Sequence, residues 1–222
     1  MDKKGIRKNT KNTLKTGKQE RRLERELLWV LGFAVFLVFV FTTASSYFKS
    51  LNQVQYGSLT FTKEKFGDIP VYHYSYTFKT PITGKVINYN MYLRNDPTEN
   101  NVPVEGQIKF EGSKAYITLD TSYLEECPKA LVAIGALTQY MVDNQFNVQS
   151  GNMDFTEAAV RNQEYVTCEN KKGINVIQVL RGEETGIIAD NQCISIVVGP
   201  DCRLLEAVEK FEVQSFLDAQ AK

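Results

Sequence analysis

The sequence predicts an α+β fold carried behind an N-terminal transmembrane helix. Three observations predict it: an uncharged apolar run over residues 27–48, period-two alternation through much of residues 57–119, and apolar-patterned helical segments at 129–144 and 202–219. Strand-rich first half, helix, further strands and closing helix together describe one domain with a mainly antiparallel sheet and two main packed helices. The expected organisation is a basic cytoplasmic tail (1–26), a transmembrane helix (27–48) and one exported domain (49–222).

The charge distribution supports that division. The 222-residue chain is formally neutral, with 26 Lys+Arg against 26 Asp+Glu, and its 43% apolar content excludes wholesale disorder. Neutrality here is an average over unlike parts. Residues 1–26 hold ten basic and four acidic side chains, residues 27–48 hold none, and residues 49–222 keep 16 basic and 22 acidic. The tail has no apolar periodicity and reads as an unstructured topogenic segment lying against anionic head groups. No aromatic residue interleaves its charges, so a nucleic-acid partner is not expected.

Leu27–Phe41 is an unbroken apolar run, and the uncharged stretch continues to Phe48. At about 1.5 Å per residue its 22 positions span about 33 Å, the thickness of a hydrocarbon core. Trp29 and Tyr47 stand near its ends, where amphipathic rings favour the interface. The basic residues ahead of it orient the N-terminus inside and the domain outside. A cleaved signal peptide is the rival, since Ala44-Ser45-Ser46 offers small residues for cleavage. The long basic region and a stretch long enough to span unaided favour an uncleaved anchor in the bilayer.

Gly57–Phe66 reads as a first strand, ended by a Gly67-Asp68 turn. Ile69–Phe78 alternates, with Tyr72, Tyr74, Tyr76 and Phe78 on one face and Val71, His73, Ser75 and Thr77 on the other. Pro81 and Gly84 mark a turn, and Lys85–Arg94 alternates again before Asn95-Asp96-Pro97 breaks the pattern. Val104–Phe110 and Lys114–Leu119 suggest a hairpin around Glu111-Gly112-Ser113. Pro128 opens a helix over 129–144 and a short helix follows at Thr156–Gln163. Strands return at Tyr165–Cys168, Ile174–Leu180 and Gly186–Val198, with Gly182-Glu183-Glu184 as the turn between the last two. Asp201 is the expected N-cap of a final helix from Cys202 to about Ala219, burying Leu204, Leu205, Val208, Phe211 and Phe216.

Cys127, Cys168, Cys193 and Cys202 all lie beyond the apolar run, and an even count on an oxidising side suggests two disulfides. Three pairings exist; Cys193–Cys202 across the last strand-to-helix turn, with Cys127–Cys168, is the expected one. There is no Cys-x-x-Cys pair and only one His, so neither a metal site nor a cofactor is expected. No nucleophile elbow, phosphate loop, His-Glu-x-x-His or dinucleotide fingerprint occurs. His73 reads as a hydrogen-bonded strand residue rather than a general base. Glu125/Glu126 and Glu183/Glu184 read as solvated turn or cap charges, leaving Asp190 and Asp201 as the acids to watch. The tyrosine row Tyr72, Tyr74 and Tyr76, with His73, is either the inner face of a sheet or a platform for sugar or peptide. Arg94 and Asp96 are a second surface candidate, as a pair or as a turn brace.

The orders Phe-Gly-Asp-Ile-Pro-Val-Tyr-His-Tyr-Ser-Tyr (Phe66–Tyr76), Tyr-Leu-Arg-Asn-Asp-Pro (Tyr92–Pro97), Asn-Val-Pro-Val-Glu-Gly (Asn101–Gly106) and Leu-Leu-Glu-Ala-Val-Glu-Lys-Phe (Leu204–Phe211) resemble a family of uncharacterised single-pass archaeal membrane proteins. The resemblance covers roughly residues 20–220. It implies placement in an archaeal cell envelope and no activity or site residues. The functional expectation is therefore a membrane-anchored interaction or scaffold domain with an envelope protein partner. The alternatives are an envelope enzyme with an unrecognised site, and a pilin-like filament subunit. Against the latter, Arg21–Glu26 abuts the apolar run without a peptidase-type Gly.

Overall fold

The computed structural model describes the backbone of residues 4–79, 84, 86–121 and 127–221, with side chains from residue 26 on. The expected turn at Pro81 and the Glu125/Glu126 pair lie outside the described residues. The chain forms two compact units, residues 1–52 and 53–222.

The first unit is one helix, α1 (Lys4–Leu51). Its segment Glu26–Leu51 contains an 18-residue window with a mean hydropathy of 2.5, and none of that window is buried by protein. At about 1.5 Å per residue it is about 39 Å long, enough to cross a bilayer. The helix also runs back through the basic tail, which corrects the expectation of an unstructured segment. Residues 14–28 are mostly Leu, Lys, Gln, Glu and Arg, good helix formers, and a helix already nucleated propagates at little cost.

The second unit begins with a four-stranded antiparallel meander: β1 (Gln53–Tyr56), β2 (Leu59–Phe66), β3 (Ile69–Lys79) and β4 (Val86–Leu93), in that order. Two-residue turns at Gly57-Ser58 and Gly67-Asp68 join the first three, each with its Gly at positive φ (58° and 61°). That geometry suits the twist of paired strands and strains any residue carrying a Cβ. The strand expected from Gly57 is thus half of a hairpin that starts at Gln53.

The second sheet has seven strands: β5 (Val104–Gly106), β6 (Lys114–Leu119), β7 (Asn147–Asn152), β8 (Glu164–Tyr165), β9 (Asn175–Arg181), β10 (Gly186–Asp190) and β11 (Cys193–Val198). Their order is β5-β10-β11-β9-β6-β7-β8. Only β10–β11 is antiparallel; the other pairings are parallel. A mainly antiparallel arrangement therefore holds for the first sheet and not for this one. The reason is connectivity. Helices α2 (Ala130–Asp143) and α3 (Phe155–Val160) carry the chain from β6 to β7 and from β7 to β8, and such crossovers return a strand parallel to its predecessor.

One expected hairpin is also absent. β5 pairs with β10 rather than with β6, because Gly106 (φ 85°) lets its backbone lie directly against Ala189. β9 and β10 are not neighbours either; Gly186–Val198 folds on itself at Asn191-Gln192, with Asn191 in the left-handed region at φ 55°. The last helix, α4 (Leu204–Gln220), starts after Arg203 without a side-chain cap. Asp201, the expected cap, accepts instead from Thr185 Oγ1 at 2.8 Å.

One core runs through this unit. Leu59, Phe61, Met91 and Leu93 of the first sheet and Ile177, Val179, Ile194 and Ile196 of the second belong to the same buried cluster as Leu137 and Met141 of α2 and Val208 and Phe211 of α4. The two helices stand between the sheets. Phe216 packs on Tyr74 (5.5 Å) and Tyr76 (4.2 Å) of β3, while the fully buried Phe211 meets Phe110 and Tyr140. A helix covered on two sides has few solvent positions left, which is why α4 buries Glu209 and Glu212 along with its apolar residues.

Candidate binding groove

The residues singled out from sequence fall at three places. Tyr72 is 7% exposed, and Tyr74 and Tyr76 are half-buried; the row turns inward, Tyr74 and Tyr76 against Phe216. His73 lies on the opposite face. Its Nδ1 meets Glu64 Oε1 at 2.9 Å, its Nε2 meets Asn90 Oδ1 at 3.0 Å, and its ring stacks on Tyr92. Arg94 and Asp96 do not pair among the described residues: Asp96 Oδ1 accepts from the Thr98 amide and hydroxyl at 2.9 and 2.6 Å. Partial burial works against that carboxylate, but these hydrogen bonds, with help from Tyr72, hold it below its ordinary range. The Arg94 amide donates to Glu209 Oε1.

The cysteines form Cys127–Cys202 and Cys168–Cys193, correcting the expected pairing. The first ties the start of α2 to the turn before α4. The second ties the β8–β9 connection to the start of β11 on the far face of the sheet, beside the small cluster Tyr116, Val166 and Val176. Proximity in sequence misled for Cys193 and Cys202, because β11 carries its two ends to opposite margins of the sheet.

The feature with the geometry of a site was not among those residues. β4 is the last strand of the first sheet, so its outer edge has no neighbouring strand among the described residues. Alternate residues of an edge strand present their N–H and C=O groups outward. Opposite that edge runs α2, and the gap between them is a groove of about 520 Å³. Asn88, Tyr89 and Asn90 line it from β4, Gln139 and Asp143 from α2, and Glu212 of α4 from within. Tyr89 is fixed there by rings on both sides, Tyr76 at 5.1 Å and Tyr140 at 5.9 Å. Tyr76 in turn donates to Asn144 Oδ1 at 2.6 Å, and Tyr140 bonds Ser215 Oγ at 2.5 Å.

The electrostatics of the groove are one-sided. Burial, then the negative charge of Glu212, pushes the Tyr89 phenol well up. Burial does the same to Tyr76 and Tyr140. Glu212 is 5% exposed, and burial followed by repulsion from Glu209 pushes its carboxyl well above the ordinary range. Its neighbour one turn away shows the contrast. Glu209 is raised by burial too, but its carboxylate accepts from the amides of Arg94 and Asn95 and from Asn95 Nδ2. No described donor reaches the Glu212 carboxylate, whereas no fully enclosed side-chain oxygen lacks a partner. The Glu212 oxygens therefore open on the groove.

A second cleft of about 310 Å³ lies at the C-terminal ends of β6 and β7. Its acids are engaged locally: Asp154 caps α3 through the Glu157 amide, and Glu157 accepts from Thr121 Oγ1 and Asn152 Nδ2. Asp190, the other acid to watch, accepts from Asn191 Nδ2. Among the described residues no three His, Cys, Asp or Glu side chains gather as a metal site. Glu212 had a signal in the sequence: it follows Val208 by four residues, on the stripe that buries the helix, where a carboxylate breaks the apolar pattern. Comparison with protein families, curated proteins and solved structures found no match to the chain.

Proposed function

We propose that this chain is a single-pass membrane protein that holds an interaction module outside the cytoplasmic membrane, N-terminus inside. The groove between the open edge of β4 and α2 carries the reading, because it offers unpaired backbone and a recessed acid to another molecule. The apolar helix long enough to span a bilayer, the basic residues ahead of it and the engagement of all four cysteines in disulfides support the anchor and the oxidising side. Protease applied to right-side-out membrane vesicles is expected to remove a C-terminal tag and spare an N-terminal one. Native extraction in mild detergent is expected to retain an envelope protein at near-equal amounts. A C-terminal tag protected from protease would overturn the topology; an extract without a stoichiometric partner would overturn the interaction role.

A further inference from the structure

The edge of β4 lacks the devices that keep sheet edges apart. Val86–Leu93 pairs with β3 over eight consecutive residues without a bulge, and it contains neither Pro nor Lys. Met91 and Leu93 are enclosed, so the open part of that edge is Val86–Asn90, about 17 Å when fully extended. An edge of that length, uncovered and regular, is a template for another strand. Across the groove, α2 supplies a wall that keeps an incoming strand in register, an arrangement suited to peptide addition.

Charge says which strand. Among the described residues, Asp143 and Glu212 line the groove and no Lys or Arg does. Glu212 is 95% buried by the protein, has no hydrogen-bond donor among the described residues, and faces the groove. A buried carboxylate without a donor is costly, so the empty groove favours the protonated carboxyl, and an ammonium or guanidinium group that arrives supplies the donors and charge that let it ionise. A second copy of this chain fits poorly, since β4 against β4 would bring two such acidic sets together.

Resting on the interaction reading above, we propose that the groove takes an extended segment of a partner protein as a fifth strand on β4, with a Lys or Arg side chain reaching Glu212 and Asp143. The neighbouring Tyr89 ring gives the aliphatic stem of that side chain an apolar surface. Glu212 thus selects the segment, while the backbone of β4 binds it.

The test is a positional-scanning library of capped octapeptides, presented to the full chain in lipid nanodiscs. The expected result is a preference of at least about tenfold for Lys or Arg over Glu at one position. That preference should vanish in Glu212→Gln and weaken in Asp143→Asn, both of which keep the size of the side chain. In a selected peptide, N-methylation of alternate amides should lose binding and methylation of the intervening ones should not. A flat library, an acidic preference, selection unchanged in both variants, or a dimer whose β4 edge is closed by its own copy would each overturn the proposal. A stoichiometric native partner found together with a flat library removes this groove and leaves the interaction role; failure of both removes both.

Discussion

Replacing Glu212 by Gln should stabilise the protein, by an amount that grows with pH. The carboxyl is buried and has no described donor, so the folded state holds its proton while the unfolded chain releases it near 4.5. A raised folded value carries no penalty below that pH. Above it the wild type loses about 1.4 kcal/mol of stability per pH unit, until the folded carboxyl itself ionises. Glutamine has the same shape and no proton to lose. Glu209, raised in the same direction, is present in both proteins and cancels in the difference. Thermal unfolding of the full chain in detergent, followed by near-ultraviolet circular dichroism from pH 4 to 8, measures that difference. For a chain of this size each kcal/mol moves Tm by about 2–4 °C, so the curves should part by about 3–6 °C per unit in the lower part of the range. Curves that stay parallel would refute the reasoning, because they would show the groove solvating the carboxylate as water does.

Four further variants probe the frame around the groove. By loop-closure entropy, removing Cys127–Cys202 (75 residues apart) should cost about 4.5 kcal/mol and removing Cys168–Cys193 (25 apart) about 3.5, checked by denaturant melts of the double-serine variants; the reverse ranking would contradict the entropic account. Gly106→Ala should cost about 2–4 kcal/mol, since the new Cβ would lie 2.0 Å from the Ala189 oxygen at φ 85°; an unchanged melting temperature would mean that β5 is not held on β10. Phe211→Ala should cost about 3–5 kcal/mol, read from the same melts, because the ring is fully enclosed and packs on Tyr140 of α2 and on Phe110.

What could be read from the sequence was whatever repeats locally. The apolar run, the alternation of β3 and the two long helical stripes each announce themselves within ten or twenty residues, and the structure has α1, β3, α2 and α4 there. The parallel sheet did not announce itself, because β7 reads Asn-Val-Gln-Ser-Gly-Asn, with one apolar residue and no alternation. Its place is set by α2 and β6, not by its own side chains. Missing β7 hid the crossover, and with it the parallel pairing. The groove was hidden for a related reason: an open edge is a property of strand order, which no single segment contains. Glu212 carries a mark in the sequence, a charge on a buried stripe, but only the strand order makes it part of a site.

The disulfide pattern sets an order of events for the growing chain. Cysteines emerge as Cys127, Cys168, Cys193 and Cys202, and the first two to appear are not partners. An oxidase that joined thiols as they came out would trap Cys127 with Cys168, which would hold the start of α2 beside the wrong strand. Cys127 must instead wait for a partner that emerges 75 residues later. Maturation thus needs either slow oxidation, so that folding chooses the partners, or an isomerase that undoes the early bond. A chain cut short before Cys202 would leave Cys127 as a thiol that quality control can recognise.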